Sequence, residues 1–246
     1  PAPIQAFFFI IISPVVSPLL LLGSKIWFTV SSETLGPIST SSSIVIPPKS
    51  TNIASLFTKI FFPKARLIRF PFDIRGKKYI KFGENFTTGT GCRIEAYNFQ
   101  DSHNAKSIKN KNIPQLIIGN NVQINDYVHL ACANSLIIED NVLIASKVYI
   151  SDLNHGNYSF SKDFEHSNPE EIAKERRIFT KPVKICENVW LGENVSVLPG
   201  TVIGKNSIIG ANSVVSKNIP ENCIAVGNPA KVIKKYNFET KKWEKI

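Results

Sequence analysis

Four histidines and four cysteines are the side chains of this 246-residue chain best suited to chemistry near neutral pH. His155 has the most informative setting. It opens a polar stretch, SDLNHGNYSF followed by SKDFEHSNPEEIAKERRIFTKP, only five residues after Ile150 closes a regular aliphatic series. A general base needs a fixed mount, and an imidazole next to a rigid element has one. Asp152, three residues earlier, could orient that imidazole or stabilise its cationic form; a carboxylate capping a backbone corner fits the same position equally well. Zinc chemistry is not expected. His129 and His155 stand 26 residues apart, and neither is followed by a second histidine at ligand spacing, nor do His103 and His166 supply one. Cys92, Cys132, Cys186 and Cys223 form no CxxC pair. They read as small, reduced, apolar residues of a cytoplasmic protein, and none has the base and electropositive setting of a nucleophile.

The mount for His155 is written as a six-residue grid of twelve aliphatics: Ile118, Ile124 and Leu130; Ile138, Ile144 and Ile150; then Ile185, Leu191, Val197, Ile203, Ile209 and Val215. Six residues advance an α-helix by about 600°, which would smear the series around its surface. A short strand, a corner and another short strand place one aliphatic inward per side instead. Glycine and asparagine suit such corners, where positive φ or close backbone approach is needed. Gly119-Asn120-Asn121, Glu139-Asp140-Asn141, Glu187-Asn188, Glu193-Asn194, Lys205-Asn206 and Ala211-Asn212 fall there. Three sides make a coil, and coils stack at about 4.8 Å. The expectation is an all-β parallel solenoid, a triangular prism, in which each repeat is buried by its neighbours.

The segment VWLGENVSVLPGTVIGKNSIIGANSVVSKNIPENCIAVGNPAKVIKK resembles the hexapeptide-repeat acyltransferases, with the likeness running from about Phe61 to Lys235. It is strongest to sugar O-acetyltransferases that modify lipopolysaccharide or capsule, and extends to the maltose and galactoside enzymes. The resemblance implies a left-handed β-helix, although crossover connections in general are right-handed. It implies acetyl-CoA as co-substrate and His155 as the base that deprotonates a sugar hydroxyl during direct acetyl transfer. IIEDNVLIASKVYISDLNH matches the family pattern without a gap. Asn125 matches a family asparagine that binds the acceptor, or is simply a corner residue; Ala133 stands where the family has an acidic acceptor-binding residue. Contacts to the cofactor fall, by the same likeness, at Trp190, Gly192, Ala211, Ser216, Lys217, Lys231 and Lys234. Trp190 fits a subunit contact as well. Lys235 could join Lys217, Lys231 and Lys234 on the adenosine phosphates, and many relatives carry arginine near it. The family forms homotrimers with active sites between subunits, so His155 and the cofactor wall are expected from different copies.

The net charge of +10 fits anionic cofactor phosphates or a lipid-linked, phosphorylated carbohydrate acceptor better than nucleic acid, for which no stacking or recognition-helix motif is present. Residues 1–55, apolar from Phe7 to Leu22 but broken by Pro14 and Pro18 and then rich in Ser, Thr and Pro, read as a disordered or non-native leader in preference to a membrane anchor. Residues 56–81 read as a basic cap, in position for peripheral contact with a membrane, and residues 82–226 as the β-helix, with an inserted loop over 152–182 and another polar excursion from Asn98 to Pro114. Residues 227–246 form a tail, a helix packed on a neighbour or a frayed end. No helical N-terminal cap of the maltose and galactoside type is expected, which favours a polysaccharide or its lipid-linked repeat over a free sugar. An antibiotic or nucleotide-sugar acetyltransferase shares the same cofactor wall and is the alternative. A non-catalytic binding solenoid is a more distant one; an ice-binding face would show threonine ranks, which are missing.

Overall fold

A computed structural model describes residues 21–22, 25–26, 50–98, 113–158 and 166–246. His103, most of the 1–55 leader, the excursion from Asn98 to Pro114 apart from its ends, and residues 159–165 of the insert lie outside the described residues. The chain winds through three parallel sheets in strict rotation. Face I holds Ile80–Phe82, Gln115–Ile118, Ser135–Ile138, Val183–Ile185 and Val202–Ile203. Face II holds Leu67–Ile68, Thr87–Thr88, Gln123–Ile124, Leu143–Ile144, Trp190–Leu191, Ile208–Ile209 and Cys223–Val226. Face III holds Phe72–Arg75, Cys92–Ala96, His129–Cys132, Tyr149–Ser151, Ser196–Val197 and Val214–Val215.

The six-residue grid sets the register. Ile124, Ile144, Leu191 and Ile209 stack in one column of face II, and Ile94, Leu130, Ile150, Val197 and Val215 in one column of face III. All are buried in one continuous core. Each inward aliphatic contributes about 1.5–3 kcal/mol by leaving water, and the parallel ladder satisfies the backbone between coils. Gly192 lets two coils meet: a Cβ there would lie 2.7 Å from the Ala211 nitrogen and 2.9 Å from the Ile209 oxygen.

Both ends correct the sequence reading. The solenoid begins at Leu67, because Leu67–Ile68 pairs in register with Thr87–Thr88, and Phe72–Arg75 pairs with the strand Cys92–Ala96 from Cys92 to Glu95, so the coils start before Phe82. A helix, Ser50–Phe61, stands before it. Ala54, Phe57, Thr58 and Phe61 recur at helical spacing and turn toward the prism, while Lys59 and Ile60 are exposed. Thr58 Oγ1 accepts the N–H of Ile68 at 2.8 Å, on the first strand of face II, and Phe62 packs edge-on against Phe72 and Phe82. A helical cap is therefore present where none was expected; its periodicity is short and is masked by the basic residues that follow it. It answers the exposed core and unpaired strand edge of an open solenoid end. At the other end the tail is neither helix nor fray. The chain reverses after Gly227, and Lys231–Asn237 and Lys242–Lys245 add an antiparallel hairpin to face II.

Candidate functional site

The insert leaves the prism between faces III and I, immediately after Ser151. Leu153–His155 pairs antiparallel with Ile178–Thr180, placing His155 opposite Ile178. The histidine side chain is exposed on this short ribbon. The outgoing and returning chains are joined at the root, where the Lys181 N–H donates to the Asp152 carbonyl at 2.9 Å. A rigid coil thus continues directly into the strand that carries the imidazole.

Asp152 does not serve that imidazole. Its side chain is fully buried, and its carboxylate accepts the backbone N–H groups of Ala133 at 2.7 Å, Asn134 at 2.8 Å and Ser135 at 2.7 Å, with the Cys132 thiol at 3.6 Å. Of the two roles open to it in the sequence, the structure assigns corner capping, and the catalytic role is withdrawn. Burial pushes this carboxyl above the ordinary carboxylate range, against the pull of its three N–H donors. The same corner contains Ala133, the position where an acceptor-binding acid was looked for. Its N–H is held by Asp152, so the corner is braced from the next coil.

The thiols are quiet. Burial is the leading cause that raises Cys132, Cys92, Cys186 and Cys223 above the usual thiol range, and the Asp152 carboxylate raises Cys132 further. A raised pKa removes thiolate and with it nucleophilicity. Among the described residues, no three His, Cys, Asp or Glu side chains are grouped to hold a metal. His129 lies on the outer side of face III near the buried Glu95, at 3.7 Å. Burial and the Arg93 and Arg75 guanidinium groups hold its pKa below the ordinary histidine value.

The remaining candidates divide between two edges of the prism. Asn125, Gly192 and Ala211 follow face II strands, at the corner leading to face III; Trp190 is half-exposed on face II, and Lys231 and Lys234 are exposed on the terminal hairpin that extends it. Asn125 accepts from Gln123 Nε2 at 3.1 Å, and its backbone N–H joins the Ile144 carbonyl. Ser216 and Lys217 are exposed at the other edge, after Val214–Val215 on face III, and share that edge with the His155 insert. One chain therefore does not bring the histidine together with Asn125, Trp190, Gly192, Ala211, Lys231 and Lys234. Sequence reasoning missed Tyr158, which donates to the His155 carbonyl, and Arg176, which donates to the Tyr158 hydroxyl; lying in an aperiodic loop, they carried no spacing signal.

Residues 182–217 match the family described as bacterial transferase hexapeptide (six repeats). Over 190 residues, 77% of this chain and 89% of the relative, the sequence is 46% identical to WbbJ of Escherichia coli (strain K12), by name a lipopolysaccharide biosynthesis O-acetyl transferase. It is 36% identical over 124 residues to the galactoside O-acetyltransferase of the same organism, half of this chain and 56% of that one. Among solved structures, the N-acyltransferase AntD of Bacillus cereus, in complex with dTDP-4-amino-4,6-dideoxyglucose and coenzyme A, superposes with a TM-score of 0.54 at 21% identity, covering 76% of this chain and 90% of that one. That likeness supports the left-handed β-helix fold. With 46% identity carried across most of both chains, this protein belongs to the hexapeptide-repeat acyltransferases and is an acetyltransferase.

Proposed function

We propose that this enzyme transfers acetyl from acetyl-CoA to a sugar hydroxyl of a surface polysaccharide, or of its lipid-linked precursor, with His155 as general base. The observation that carries the reading is the setting of His155: an exposed imidazole on a braced two-stranded ribbon at the prism edge, in a chain 46% identical to WbbJ. As the acceptor oxygen attacks the thioester carbonyl, its proton passes to the imidazole. The C–O bond forms, the C–S bond breaks, and the coenzyme A thiolate leaves and takes up a proton. Four thiols with raised pKa values favour this direct route over an acyl-cysteine.

The division of the candidates between two edges supports assembly of the site from two copies in a homotrimer: the His155 edge of one subunit faces the Trp190, Gly192 and Ala211 wall of the next. Trp190 and Ala211 would line the pantetheine arm, Lys231 and Lys234 would meet adenosine phosphates as point charges, Ser216 and Lys217 would extend the same cradle, and Asn125 would hold the acceptor. Gly192 is buried and serves coil packing beneath Ala211. We place the enzyme in the cytoplasm, peripheral to the membrane that holds a lipid-linked acceptor, with its basic residues toward anionic headgroups. No helix among the described residues is long and apolar enough to cross a membrane.

The test is acetyl-CoA turnover against a panel of surface glycans, with His155→Ala as the control. Loss of the base should lower the rate by about two to four decades. A variant with near-normal rate would overturn the assignment.

A further inference from the structure

We infer that Tyr158 and Arg176 are positioning residues for the transfer, fixing the main chain of His155 from the far side of the insert. The inference rests on His155 as the base. Tyr158 Oη donates to the carbonyl oxygen of His155 at 2.7 Å, and Arg176 Nη1 donates to that same phenolic oxygen at 2.9 Å. The phenol therefore gives its one proton to the histidine carbonyl while its lone pair receives a cation. A charged donor on the oxygen polarises the O–H and strengthens the second bond. Arg176 is itself located by the carbonyls of Glu171, from Nε at 3.0 Å, and Pro169, from Nη2 at 2.7 Å. The guanidinium joins the returning half of the insert to the outgoing half through the Tyr158 hydroxyl.

The glycine after the histidine makes room for this arrangement. Gly156 has φ +109°, and a Cβ there would lie 2.4 Å from Tyr158 Oη and 2.9 Å from Ser167 Oγ. A side chain would push the hydroxyl off the His155 carbonyl. The neighbouring backbone is tied as well: the Gly156 N–H donates to the Arg177 carbonyl at 2.8 Å, and Asn157 and Ser167 exchange bonds of 3.0 and 3.1 Å. Tyr158 is 56% exposed, so water could have satisfied the His155 carbonyl. A charge-backed side chain holds it in place, as a water would not. Misplacing a reacting group by about 1 Å can cost as much as about a hundredfold in rate, which gives such a brace its value. Neither residue touches a reacting atom; both act through the backbone of His155.

The full chain with ¹³C-labelled histidine provides a test that needs no acceptor. Its imidazole resonances, with that of His155 assigned by its disappearance in His155→Ala, are recorded alongside thiol release from acetyl-CoA alone, where water is the nucleophile. In Tyr158→Phe and in Arg176→Gln the His155 signal should shift or broaden. Hydrolysis should fall about tenfold in each, with the double variant no slower than about the worse single one. KM for acetyl-CoA and the melting temperature should hold. In a His155→Ala background, Tyr158→Phe should change nothing further. An unmoved His155 resonance overturns the inference, as does an equal loss of rate in the His155→Ala background or a loss that tracks melting temperature. Native hydrolysis by His155→Ala would instead overturn the base itself, so the two failures are separable.

Discussion

Two edges of one prism use polar corner residues in opposite ways. Between faces I and II, asparagines run down the stack: Asn85 Nδ2 donates to Asn121 Oδ1 at 2.9 Å, Asn121 to Asn141 at 3.1 Å, Asn188 to Asn206 at 3.0 Å and Asn206 to Asn222 at 2.8 Å. All of them take φ between 55° and 60°. Between faces III and I the described residues build no such ladder. Asp152 gathers three N–H groups of one corner, and the chain then leaves the prism to carry His155. An amide donates and accepts, so one can stand on the next without limit; a carboxylate accepts only, so it collects donors and ends the series. The first edge propagates the stack, and the second stops it where an excursion is needed.

Removing the terminator should have the larger effect. Asp152→Ala leaves three N–H groups, one buried and two partly buried, without this acceptor, and we expect it to lower unfolding free energy by about 3–5 kcal/mol in urea titrations. The rate should fall with it, because the carboxylate anchors the main chain whose carbonyl accepts the Lys181 N–H at the root of the insert. On the ladder, Asn206→Ala loses one donated and one accepted amide bond and places a Cβ-bearing residue without polar compensation at positive φ. A cost of about 2 kcal/mol is expected, with activity retained. Asn206→Gly should cost about half as much, since glycine takes that φ freely. If the alanine at 152 proved no more costly than the alanine at 206, the contrast between the edges would collapse.

The ladder edge was legible in the sequence, and the terminator edge only in part. Residues such as Ile144 and Leu191 recur because every coil faces the same core, and Asn121, Asn188 and Asn206 recur because every corner of that edge needs the same φ. Repetition makes a signal. Asp152 occurs once, and nothing in its spacing chooses between holding an imidazole and holding three amides; only the position of the preceding corner does. Tyr158 and Arg176 are 18 residues apart in an aperiodic loop and meet through its fold. The N-terminal helix was hidden for a related reason: four inward residues across three turns are too few to stand out beside proline-rich and basic neighbours.

The smallest predicted effect concerns the third edge, between faces II and III, where the ladder is unfinished. Asn194 and Asn212 stack there at 3.2 Å, but the coils above place Lys147 and Tyr127 at the same corner, with φ of 60° and 57°. Neither side chain is an amide that could extend the series, and both hold a left-handed conformation that asparagine tolerates better. The Asn194 N–H already reaches the Ser146 carbonyl at 3.1 Å, so the coils are in register for one more rung. Lys147→Asn should therefore raise stability by about 0.5–1 kcal/mol, from relief at φ plus an exposed amide bond. The expected readout is a higher urea midpoint with an unchanged denaturant slope. A loss of stability would mean that the ladder follows from the register of the coils and does not help to set it.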